Sequence, residues 1–192
     1  MSLHWSNDPV GQLIQMRRAL RPDGLMIAAM FGGQTLAELR DVLSRAEVEI
    51  TGGLSPRIAP MGEIRDLGGL LQRDGLTMPV ADSERLPVTY TDAVALMHDL
   101  RAMGETNILA DRRRVGLSKA FLQRILDLYA SDYPAEDGRI RATFEIVFLT
   151  GWAPSPDQPK ALRPGSAKKR LADALAVPEH KLNDKARPGG AD

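Results

Sequence analysis

The stretch RPDGLMIAAMFGGQT, Arg21 to Thr35, decides the fold of this chain. Its centre, Leu25 to Phe31, is an unbroken apolar run with no alternation, which is how a strand buried on both faces of a parallel sheet reads. Pro22-Asp23-Gly24 turns the chain into that strand and Gly32-Gly33 ends it. Upstream, Asp8 to Asp23 carries helix punctuation: Asp8 suits the N-cap, Pro9 the first helical position, and Val10, Leu13, Ile14, Arg17 and Leu20 keep a helical period. The opening, SLHWSNDP, looks like the exit of a strand whose body is absent.

Downstream, helical period returns over Thr35 to Glu49, with Leu36, Leu39, Val42, Leu43 and Ala46 on one face. The linker GGLSPRIAP breaks it, and Met61 to Arg73 forms a further helix with Ile64, Leu67, Leu70 and Leu71 inward. LTMPVADSERLPVTY is strand-like but interrupted by Pro79 and Pro87, which fits an edge strand or two short strands. Two helices are expected next, Thr91 to Met103 and Ser118 to Tyr133, each begun by a hydroxyl N-cap. Asp137-Gly138 then turns the chain into RIRATFEIVFLTGW, Arg139 to Trp152, the most β-branched and aromatic run present and a strand. The order of elements is α/β. Residues 1–153 read as a partial α/β domain. Residues 154–192, rich in proline, lysine and arginine and weakly helical only around Leu171 to Val177, read as a flexible tail.

At 192 residues, with 43% apolar and 26% charged, the chain suits a globular domain with a substantial core. Lysine plus arginine equals aspartate plus glutamate at 25 each, so no net field draws in nucleic acid or an anionic membrane. The absence of cysteine removes disulfides, thiolate ligands and cysteine nucleophiles. No run approaches the roughly 18 apolar residues of a membrane span. Met1 to Asp8 has neither the basic flank nor the apolar centre of a secretory signal, and a cytoplasmic protein is expected.

Few motifs carry chemistry alone. No G-x-G-x-x-G, phosphate-binding loop, H-E-x-x-H or G-x-S-x-G is present. Phe31-Gly32-Gly33 lies between a strand and a helix, where its amides could meet an anion or simply make a strand-exit turn. His98 reads as a surface residue and His180 as an inert one. Arg112-Arg113-Arg114 and Lys168-Lys169-Arg170 read as solvated runs, because aromatic side chains for base stacking are missing.

Four strings in order do carry a resemblance: SLHWSNDPVGQLIQMRRALRPDGLMIAAMFGGQTLAELR, GGLSPRIAPMGEIRDLGGLLQRDG, LMHDLRAMGETN and ATFEIVFLTGW. Together, from Ser2 to Trp152, they resemble one branch of the class I S-adenosylmethionine-dependent methyltransferases. That branch includes the malonyl carrier-protein methyltransferase of biotin synthesis and a mitochondrial complex I assembly factor of methyltransferase fold. The resemblance implies the C-terminal part of a Rossmann-like sheet of order 3-2-1-4-5-7-6, with strand 7 antiparallel. Ser2 to Trp5 would be the exit of strand 4, Leu25 to Phe31 strand 5, Met78 to Thr89 strand 6 and Ile140 to Trp152 strand 7. Helices Thr35 to Glu49 and Thr91 to Tyr133 would roof the substrate pocket. Family members carry further N-terminal residues, including the glycine-rich cofactor loop, and the cleft of such a sheet forms at strand carboxyl ends by the switch point.

The implied cofactor is therefore S-adenosylmethionine in the complete protein. The resemblance places His4 and Trp5 beside it, although Trp5 reads equally well as a core residue. It puts Met30, Phe31, Arg57 and Asn107 against the substrate, and no catalytic residue or metal site is implied. The expected activity is methyl transfer, which relies on alignment and exclusion of water more than on an acid/base pair. The alternatives are a protein-arginine hydroxylase-like assembly factor for a respiratory complex and a non-enzymatic interaction module. In the last, an exposed sheet edge at Leu25 to Phe31 would pair with a second copy of the chain.

Overall fold

Strands Leu25–Phe31 (β1), Thr77–Tyr90 (β2) and Ile140–Trp152 (β3) make one three-stranded sheet in the computed structural model, which describes residues 2–159, 166 and 169–178. The order is β1-β3-β2, and the central β3 is antiparallel to both neighbours. Helices Pro9–Ala19 (α1), Ala37–Thr51 (α2), Ile64–Arg73 (α3), Ala93–Ala102 (α4) and Lys119–Asp132 (α5) pack around it. The chain divides into two compact units, Met1–Pro156 and Asp157–Asp192. In the second unit Leu171–Leu175 forms one short helix. Most of the expected flexible tail, Lys168 and His180 included, lies outside the described residues.

Alternation of side chains gives the sheet two apolar faces and two cores. On one, Met26 and Met30 of β1 and Val147 and Leu149 of β3 meet Leu13 of α1 and Leu67 and Leu71 of α3. On the other, Phe31, Ile140, Ala142 and Phe144 meet Leu39, Val42 and Leu43 of α2, Leu96 and Leu100 of α4, and Phe121, Ile125 and Tyr129 of α5. Burying each such aliphatic or aromatic side chain stabilises the fold by about 1.5–3 kcal/mol.

Two expectations built on a parallel sheet are corrected. β1 has an antiparallel partner on one side, and it is wet on one face, with Leu25 45% and Ile27 69% exposed. Both point to the face of Phe31, where the helices cover Phe31 and Phe144 and stop short of the other end of the strand. Leu3–Trp5, expected as a strand end, is one turn of 3-10 helix. The Trp5 amide donates to the Ser2 carbonyl and the Ser6 amide to the Leu3 carbonyl, each at 3.1 Å, so these groups are spent locally and not on a ladder.

β2 is one strand at the sheet edge, where Pro79 and Pro87 each cost no ladder bond on the open side. Its pairing slips between Thr77 and Val80, beside Met78 at φ 49°. Helix α2 starts two residues late because the Thr35 hydroxyl exchanges hydrogen bonds with the Glu145 backbone and Leu36 is left-handed at φ 57°. The cap of α4 is Asp92, whose carboxylate accepts from the Ala95 amide, and not Thr91. Asp8 and Ser118 cap α1 and α5 as their sequence positions suggest.

Candidate functional site

A cavity of about 470 Å³ opens where α2, α4 and the loops after α2 and α4 meet Leu3–Trp5. Its walls are apolar: Leu36, Leu39 and Leu43 from the start of α2, Met97 and Leu100 from α4, Ile58 and Met61 from the linker. Polar groups converge on it from three separate segments: His4 and Trp5, Arg57, and Glu105 with Asn107. A mostly apolar cavity with a few placed polar groups is the usual form of a small-ligand or side-chain site. The Asn107 amide donates to the Pro56 carbonyl at 2.9 Å and so ties the two loops together across the cavity rim.

Glu105 is placed by the end of α4. The helix closes with Gly104 at φ 85°, the Gly104 amide donates to Arg101 and the Glu105 amide reaches back to Leu100 at 2.8 Å. This is a Schellman closure, in which glycine takes the left-handed position without strain and the next residue is thrown back over the helix. The thrown-back Glu105 carboxylate accepts from Trp5 Nε1 at 3.0 Å and from His4 Nε2 at 3.1 and 3.3 Å. The His4 side chain is 3% exposed and the Glu105 side chain 15%. Among the described residues, His4 Nδ1 is buried and has no hydrogen-bond partner. The His4 ring also lies 5.2 Å from that of Phe31 and 6.1 Å from that of Trp5.

A second carboxylate, Glu47 of α2, lines a neighbouring cavity. It accepts from the Ser55 amide and hydroxyl, from Arg57 at 2.7 Å and from Arg113 at 3.3 Å, and its side chain is 1% exposed. Burial raises its pKa, but the hydrogen bonds from Arg57 and Ser55 outweigh burial and hold it down at about 2. The Arg57 guanidinium also stacks 4.6 Å over the ring of Phe121, and among the described residues its Nε is buried without a partner. A smaller cavity of about 300 Å³, lined by Arg40, Ser44, Glu47 and Leu54 among others, lies alongside.

Of the residues singled out in the sequence, His4, Trp5, Arg57 and Asn107 surround this one cavity. Met30 and Phe31 are buried, 3% and 6% exposed, in the two cores, and neither lines it. Sequence reasoning missed Glu105 and Glu47. Glu105 follows the helix-closing glycine directly, and Glu47 falls one turn after Leu43 on the apolar stripe of α2, where a charge is out of pattern.

The glycine turn Gly32-Gly33 is a strand exit and no anion cradle. The Gly32 amide goes to the Glu145 carbonyl, that of Gly33 to the Gly62 carbonyl and that of Gln34 to the buried Glu145 carboxylate. A Cβ on Gly32 would meet that carboxylate at 2.5 Å, so glycine is needed for close packing. The described residues do not by themselves fit S-adenosylmethionine: this turn has no free amide, and the Trp5 indole N–H and His4 Nε2 are spent on Glu105. No helix among the described residues is long and apolar enough to cross a membrane.

No protein-family profile matches the chain. It is 41% identical over 174 residues, 90% of its length and 40% of the relative's, to the protein named arginine-hydroxylase NDUFAF5, mitochondrial, of Dictyostelium discoideum. To the human protein of the same name it is 40% identical, covering 87% of this chain and 48% of that one. To the malonyl-[acyl-carrier protein] O-methyltransferase of Laribacter hongkongensis it is 37% identical, covering 81% and 50%. The chain thus spans about half the length of the curated relatives it matches. The solved YcgJ protein of Bacillus subtilis superposes with a TM-score of 0.45 at 12% identity, over 80% of this chain and 61% of that one. The expected cytoplasmic placement is overturned by these relatives, whose arginine hydroxylases are named mitochondrial.

Proposed function

This chain belongs to the methyltransferase-like family that holds those arginine hydroxylases and malonyl carrier-protein O-methyltransferases, and from that membership we propose that its cavity receives an acceptor side chain, an arginine, from a protein substrate. The observation that carries the reading is the cavity of about 470 Å³, whose apolar walls suit a methylene stem and whose polar groups gather on loops. Arginine buries its stem along apolar surface and keeps its charged head for polar partners. On this reading β1, β2 and β3 take the fifth, sixth and seventh places of the family sheet.

The reaction we favour is hydroxylation of that side chain, in line with the names of the relatives that reach 41% identity. One oxygen atom of dioxygen enters a C–H bond. The other leaves as water, with two electrons and two protons from an external reductant. What this chain supplies is the pocket: His4, Trp5, Glu105 and Asn107 orient the acceptor, and the apolar walls keep water from it. S-adenosylmethionine is the cofactor that the methyltransferase relatives suggest, and the residues described here do not by themselves fit it.

Methyl transfer to a carboxylate is the second reading, and the arginines favour it. Arg57, Arg112 and Arg113 line the same cavity, and a guanidinium matches a carboxylate with two parallel donors. Mass spectrometry of the protein substrate after reaction with the full-length enzyme separates the two. A gain of one oxygen on an arginine supports hydroxylation, a gain of one methylene on a carboxylate supports esterification, and modification of neither overturns the cavity's assignment.

A further inference from the structure

We propose that Glu105 selects the guanidinium: its carboxylate, held by Trp5 and His4, is the acceptor for the charged end of an arginine side chain entering the cavity. The inference rests on the arginine reading above and names the group that recognises the substrate.

Glu105 is built into place and not yet spent. Its backbone is set by the glycine closure of α4, and its two oxygens receive three contacts from two side chains, Trp5 and His4. An ionised carboxylate offers about four acceptor positions, so capacity remains for a further donor. Trp5 Nε1 is a neutral donor, and His4 needs only one N–H, at Nε2, to make its contact. Among the described residues no lysine or arginine pairs with Glu105. A carboxylate at 15% exposure stands in a partly desolvated site, where attraction for a cation is stronger than in water.

The shape of the incoming group follows from the same atoms. A guanidinium presents five N–H donors in a plane, enough to reach one carboxylate oxygen and a second acceptor together. That second acceptor is the other oxygen of the same carboxylate, which the fork of a guanidinium matches with two parallel donors. Trp5 adds an aromatic surface of the kind on which guanidinium stacks. A lysine ammonium matches this set less well, being a compact point charge without a plane to stack.

The cavity's own arginines do not fill the same role. Arg57 and Arg113 are both turned to Glu47, Arg112 donates to the Leu109 carbonyl, and Arg101 stands exposed at the rim. Three of the four are thus held by partners other than Glu105, and the fourth, Arg101, makes no ion pair with it.

The test is a titration of the full chain with Nα-acetyl-arginine amide, followed by the NMR signals of the Trp5 indole N–H and the His4 ring. Nα-acetyl-citrulline amide, of nearly the same shape but uncharged, serves as the comparison. The arginine compound is expected to shift both residues' signals and to bind at least about tenfold more tightly than the citrulline one, the scale of a hydrogen bond to a charged group. Glu105→Gln, which still accepts from Trp5 and His4, should abolish that preference. Equal binding of the two compounds by the wild type, or absence of any shift with the arginine compound, overturns the proposal without recourse to a variant. So does an unchanged preference in Glu105→Gln. Should guanidinium binding depend on Glu105 while substrate arginines gain no oxygen, hydroxylation falls and the subsite stands. Should oxygen be gained while the Glu105→Gln preference is intact, the subsite falls alone.

Discussion

Glu47 and Glu105 line two neighbouring cavities that share Leu43, Arg57 and Ile58, and each is a carboxylate reached by side chains from other segments, yet they differ in what reaches them. Glu47 is 1% exposed and takes two guanidiniums, a hydroxyl and an amide. Glu105 is 15% exposed and takes an indole and an imidazole. A buried charge must be compensated or it is lost to protonation, and Glu47 is compensated by the guanidiniums of Arg57 and Arg113. Its work is to pin Ser55, Arg57 and Arg113 to α2 and so hold the linker and the loop after α4 over the pocket. Glu105 has a fixed geometry and, among the described residues, no lysine or arginine partner, which is the condition of a group that meets something from outside.

The largest effect that would sharpen this contrast is on stability. Glu47→Ala leaves Arg57 with its charge partly buried and no partner, and should destabilise the fold by about 3 kcal/mol, the low end for breaking a buried ion pair because Arg113 can turn to solvent. Urea unfolding measures it, and a loss no larger than that of an exposed charge would erase the distinction.

Acid separates the two sites next. The Glu47 carboxyl is held at about 2 in the fold against an ordinary value of 4.5. A depressed carboxylate contributes stability that is fully present above the unfolded value and is lost as pH falls through the folded one. The stability gap between the wild type and Glu47→Gln should therefore be constant above about pH 5 and shrink between about 4.5 and 2. Denaturant midpoints collected across that range check the sign: a gap that widens on acidification would mean that Glu47 is not ionised in the fold.

The same contrast shows what could be read from sequence. The α/β class, all three strands and the caps at Asp8 and Ser118 were legible because they rest on local period and local chemistry. Burial of Leu25 and Ile27 was not, because an apolar run looks alike whether or not a helix covers its far end. Nor could local pattern distinguish a strand exit from a 3-10 turn at Leu3–Trp5, since the choice turns on whether a neighbouring ladder exists. At the site, His4, Trp5, Arg57 and Asn107 stood out through strings shared with a family, whereas Glu105 owes its place to contacts across 100 residues or more. Only the fold brings Trp5 and Glu105 together. A glycine that ends a helix nevertheless marks the following residue as one aimed back over it, and the Gly104-Glu105 pair can be read that way in future.

The smallest expected effect is the most telling. Glu105→Gln keeps an amide oxygen with two lone pairs, able to accept from both Trp5 Nε1 and His4 Nε2, and it removes the negative charge. If Glu105 were a structural counterpart of Glu47, removal of its charge would strand a buried cation and cost several kcal/mol. Because no lysine or arginine pairs with it among the described residues, the loss should stay below about 1 kcal/mol, the scale of exchanging one hydrogen bond for a weaker one. Thermal and urea unfolding of Glu105→Gln beside Glu47→Gln decide the matter. Similar losses at the two positions would make Glu105 another structural anchor, whereas near-native stability leaves its charge free for the cation that the cavity takes in.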